Sequence, residues 1–183
     1  MKYAFRSAVI FASCFIIAKL IFFNAGWHSK FYVGIIFINI LMVLLAMVYG
    51  MWMERKHSQT PKNSYLEIVK SCMRPAMLYV LLVTAFVYLY YNAIDQQHCA
   101  QLVEQRMAAA EKADFAEIQK ANAEFQNMTR NDFLDREREN AEKIFSPFAV
   151  ATATLFGLVI LSFFYSLVVA WVFKRFFIAG GAG

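Results

Sequence analysis

Four long apolar runs constrain this chain more than any other feature. They are "YAFRSAVIFASCFIIAKLIFF" (Tyr3 to Phe23), "FYVGIIFINILMVLLAMVYGMWM" (Phe31 to Met53), "PAMLYVLLVTAFVYLYYNAI" (Pro75 to Ile94) and "PFAVATATLFGLVILSFFYSLVVAWVF" (Pro147 to Phe173). Each has about 20 residues or more, enough at about 1.5 Å of helical rise per residue to cross a hydrocarbon core of about 30 Å. Such a core offers no water to backbone amides, so the runs must be helices. The expected fold is all-α. It is a polytopic membrane protein, one membrane domain over residues 1–183, with transmembrane helices at 3–23, 31–53, 75–94 and 147–173. Lys2 and Arg6 ahead of the first run resemble the start of a signal peptide. No A-x-A-like site follows, so the run is expected to stay as a helix.

Charge sets the expected orientation. Lys2 and Arg6 flank the first run, and Lys174 and Arg175 follow the last. Arg55, Lys56, Lys62, Lys70 and Arg74 sit between the second and third, against only Glu54 and Glu67. The other side has Lys30 in a short turn and a long segment, 95–146, with seven bases, eleven acids and a net charge of −4. Both termini are therefore expected in the cytoplasm and segment 95–146 outside. Trp27, Tyr32, Tyr90 and Tyr91 would mark the outer interface, and Tyr49, Trp52 and Trp171 the inner one. The net charge of +5 then belongs to a basic rim facing anionic lipid headgroups, and needs no nucleic acid. Cys14, Cys72 and Cys99 fall at three different depths, so no internal disulfide is expected.

Between the second and third runs, Ser64 and Glu67 have capping-box spacing, and Leu66, Val69, Cys72 and Met73 recur at helical intervals. This predicts an amphipathic helix over 64–74 on the inner leaflet, with Pro75 either opening the next helix or kinking a continuous one. Segment 95–146 reads as an exported helical hairpin between transmembrane helices 3 and 4. Its first limb carries Cys99, Leu102, Val103 and Met107, and Asp114 with Glu117 offers a restart. A turn falls at 127–132, and a last helix carries Phe133, Leu134 and Ile144. Its charges pair at i,i+4: Asp132 with Arg136, Arg138 with Glu142, Glu139 with Lys143. Thr129 is placed to cap it.

Enzymatic signatures are missing: there is no H-E-x-x-H, P-loop, G-x-G-x-x-G, G-x-S-x-G or C-x-x-C. His28, His57 and His98 are isolated, so no metal or other cofactor is expected. The chain is read as non-catalytic. Two kinds of residue remain as candidates for function. Lys19 and Asn39 are polar groups within spans; the first is expected to snorkel to the interface, the second to hydrogen-bond a neighbouring helix. Ala149, Ala153 and Gly157, then Ser162, Ser166 and Ala170, place small side chains four apart on the last run, where another helix can approach closely. That partner is another membrane protein, a second copy, or a helix of this chain.

The order of parts, "YLYYNAID" at the exit of the third run, and "AEKIFSPFAVATATLFGLVILSFFYSLVVAWVFKR" at the end together resemble the domain-of-unknown-function 4199 family. These are small four-helix inner-membrane proteins, found mainly in Bacteroidetes. The chain departs from the family at "SQTPKN", where a Gly-rich approach is common. The resemblance implies a bacterial inner-membrane location and no assigned activity. It also implies a candidate partner, a membrane-associated glycosyltransferase working on lipid-linked sugars, whose genes lie near those of the family. The reading that follows is a non-catalytic subunit or scaffold of a membrane complex. The alternative is a small oligomeric transporter or lipid-handling protein, with Asn39, Lys19, Tyr165 and Thr84 as its polar contacts.

Overall fold

A computed structural model describes residues 2–27, 31–58 and 64–178. Within it, α1 (Lys2–Asn24), α2 (Tyr32–Lys56), α3 (Tyr65–Leu89) and α7 (Pro147–Phe173) are the long apolar helices. They supply four candidate spans, and no strand occurs among the described residues. Between α3 and α7 come a π-helical turn (Tyr90–Ile94), α4 (Gln96–Lys112), α5 (Phe115–Ala121), a 3₁₀ turn (Ala123–Phe125) and α6 (Arg130–Ile144). A second π-helical turn, Lys174–Ile178, follows α7. His28, Lys30 and Lys62 lie outside the described residues.

The chain divides into two units, residues 1–86 with 154–183, and residues 87–153. In the first, α1 buries Ala4, Ser7, Ala8, Ala12 and Phe15, mostly small side chains one helical turn apart. That face lets α2 come close: Ser7 Oγ donates to the Ala46 carbonyl at 2.6 Å. At the same level Gly50 of α2 faces Pro75 of α3. A β-carbon on Gly50 would lie 2.8 Å from two atoms of the Pro75 ring, so only glycine allows this approach.

Of the two arrangements expected at Pro75, the structure has the continuous one: residues 65–74 are the first turns of α3, which runs on through Pro75. The proline ring fits because it packs, fully buried, against Gly50. Of the expected apolar face, Val69 and Cys72 are buried against protein, Met73 is half-buried and Leu66 is exposed. Ser64 still starts the helix, its carbonyl accepting from the amides of Glu67 and Ile68.

All four helix ends of this unit that carry Lys and Arg gather at one place. Tyr3 of α1 stacks on His57 beyond α2, ring centres 4.6 Å apart. Arg74 of α3 bridges Glu54 of α2 at 2.8 Å, and Ser71 Oγ donates to the same carboxylate at 3.1 Å. The Arg55 guanidinium lies 4.7 Å over the Phe173 ring of α7, and Tyr65 donates to the Leu167 carbonyl at 3.0 Å.

The second unit is built on α4 and α6. Val103 and Met107 of α4 and Ala141 of α6 form its core, with Leu134 and Phe145 against it. Arg106–Glu137 and Arg138–Glu104 tie the pair across their solvated faces, at 3.0 and 3.4 Å. Phe133 is buried between the rings of Phe115 and Phe125, each 5.4 Å away. Asp114 caps α5, its Oδ1 accepting from the Ala116 amide at 2.9 Å. Thr129 and Asp132 make a reciprocal capping box at the start of α6.

One expectation for this unit changes. Of the i,i+4 pairs only Glu139–Lys143 forms, at 2.6 Å. Arg136 turns to Glu124 and Arg138 to Glu104, because α4 and the 3₁₀ turn bring carboxylates within reach, and Asp132 is engaged in its cap.

Candidate functional site

The polar groups inside the spans separate into seams between helices and atoms without partners. Asn39, from the middle of α2, accepts a hydrogen bond at Oδ1 from the Tyr79 hydroxyl of α3 at 2.7 Å. Tyr79 is fully buried, so its hydroxyl needs such a partner. This is the interhelical bond expected of Asn39; Tyr79, its donor, was not singled out in the sequence. The signal was available, since a phenol in mid-span must find an acceptor where no water is present. Cys72 and Met51 meet sulfur to sulfur at 3.4 Å, both buried, a packing contact between α2 and α3.

Lys19 is only 7% exposed, so protein covers most of its side chain.

The small-residue stripe of α7 splits in two. Ser162, Ser166 and Ala170 are fully buried in the first unit, and Ser166 Oγ donates to the Phe163 carbonyl at 2.7 Å. Ala149 is half-buried, while Ala153 and Gly157 are exposed. A β-carbon on Gly157 would meet nothing within 4 Å. One half of the stripe is used inside the chain and the other is left open. Ser162 Oγ and Thr84 Oγ1 are buried without a hydrogen-bond partner.

In the second unit the π-helical turn buries Tyr90 and Tyr91, two rings expected at the outer interface. The Tyr90 hydroxyl donates to Asp95 Oδ2 at 3.2 Å, which explains why it turns inward: Asp95 is itself buried. Tyr91 stacks on His98, ring centres 5.4 Å apart. Burial, then the Asp95 charge, hold the Cys99 thiol above its ordinary range, which keeps it protonated and unreactive at neutral pH. Among the described residues no three of His, Cys, Asp and Glu are grouped to hold a metal ion. Hydrogen bonds and close packing between helices are what this arrangement provides.

Four long apolar helices with polar seams between them define a multi-pass helical membrane protein. The chain belongs to the family described as "Protein of unknown function (DUF4199)", whose model matches residues 2–175. No curated protein and no solved structure matches it.

Proposed function

We propose that the chain is a non-catalytic subunit or scaffold of an inner-membrane complex, with both termini in the cytoplasm. The observation that carries this reading is the open half of the α7 stripe. Ala153 and Gly157 present almost no side chain and are exposed, and among the described residues nothing lies within 4 Å of a β-carbon placed on Gly157. A lipid-facing helix gains nothing from glycine, which weakens a helix by about 1 kcal/mol relative to alanine. A second helix does gain, because backbones can then approach within van der Waals contact. A membrane-associated glycosyltransferase acting on lipid-linked sugars is the partner class we favour, with self-association as the other outcome.

The experiment is affinity purification of the tagged full chain from its native membrane in mild detergent. The reading expects a stoichiometric membrane-protein partner or a defined homo-oligomer, lost when Gly157→Leu fills the open face. Recovery of a clean monomer would overturn it.

A second reading, an oligomeric transporter or lipid-handling protein, draws support from the unpartnered hydroxyls of Thr84 and Ser162. Asn39→Leu separates the two: unchanged function with intact protein argues against a polar pathway through α2.

A further inference from the structure

We infer that the basic end of the first unit, where α2 and α7 finish side by side, is a binding site for an anionic phospholipid. The two helix ends are neighbours because Arg55 of α2 lies over Phe173 of α7. On the same two helix ends, Lys56 Nζ sits 5.4 Å over the Trp52 ring, and the Arg175 guanidinium 5.5 Å over Trp171. Lys174, exposed, precedes Arg175 in sequence, so two pairs of consecutive cations, Arg55–Lys56 and Lys174–Arg175, come from two adjoining helix ends.

The charge at this end is unbalanced. Lys2, Arg6, Lys70 and Arg74 belong to the same end, and Glu54 and Glu67 are its acids. Glu54 is already engaged by Arg74 and Ser71.

The occupant follows from where the cations are held. Trp52 and Trp171 are about half exposed on the sides of their helices. Below them the exposed surface continues as Val48, Phe164 and Val168. A cation stacked on an indole at the rim of an apolar helix surface meets a phosphate at headgroup depth and acyl chains beneath it. A soluble anion would match the charges but leave the apolar surface unused. A zwitterionic lipid would match the surface but cancel its phosphate with its own cation. An anionic phospholipid such as phosphatidylglycerol satisfies both.

This inference does not rest on the scaffold reading and is tested on the purified full chain alone. Trp27→Phe leaves Trp52 and Trp171 as the only indoles. That protein is reconstituted in phosphatidylcholine vesicles carrying brominated phosphatidylglycerol, or brominated phosphatidylcholine in parallel, and tryptophan quenching is recorded. The expected preference for the brominated phosphatidylglycerol is about fivefold. It should fall to about onefold in Lys56→Gln/Lys174→Gln/Arg175→Gln and shrink as salt is raised on the unsubstituted cations. The salt titration decides the matter even if the triple variant fails to fold. Equal quenching by the two lipids, or a preference that ignores salt, would overturn the inference.

Discussion

Tyr79 and Asn39 show how much one hydrogen bond matters where water is absent. Their 2.7 Å contact is the side-chain bond between α2 and α3 deep in the spans. Tyr79→Phe removes the donor and keeps the ring, so unfolding in detergent should show a loss of about 0.6–1.7 kcal/mol. A double cycle with Asn39→Leu should show coupling of the same order, and additive losses would mean the bond is not formed. Gly50 is the steric counterpart. Gly50→Ala drives a methyl into the rigid Pro75 ring, so a loss of about 1–3 kcal/mol is expected in the same assay. Gly157→Ala meets open space, so the isolated chain should lose nothing. These two glycines look alike in the sequence; only the neighbouring helix distinguishes them.

At the scale of elements, helix existence was legible and helix company was not. The apolar runs located α1, α2 and α7 to within a few residues, because length and hydropathy are properties of one segment. The fate of 64–74 depended on another segment: its apolar face suits lipid and protein alike until Gly50 offers Pro75 a place. The burial of Tyr90 and Tyr91 was hidden for the same reason, since an exposed tyrosine and one turned toward a buried Asp95 have the same local sequence. Asn39 was readable because an amide in mid-span has few alternatives. The protein cover over Lys19 was not, since the covering surface lies elsewhere in the chain.

The element with a pH signature is α6. Hydrogen bonds from Thr129 hold the Asp132 carboxyl below its ordinary value of 3.8, and Lys143 holds Glu139 below 4.5. Lowered carboxylate pKa values mean stability that is present above the unfolded values and lost as pH falls through the folded ones. Amide exchange at the α6 N-terminus should therefore be slow at pH 7 and quicken below about pH 4 relative to α4. Thr129→Ala should quicken it at neutral pH as well, by the loss of a cap worth about 1 kcal/mol. Exchange in α6 that ignores both changes would count against the cap.

For the whole molecule, the central claim is that the open face of α7 is where another chain packs. A photo-crosslinking residue placed at Gly157, and at exposed Ile17 of α1 as a lipid-facing control, tests it in intact cells. A discrete protein adduct is expected from position 157, of a partner or a second copy, and none from position 17. Lipid adducts alone from both positions would contradict it.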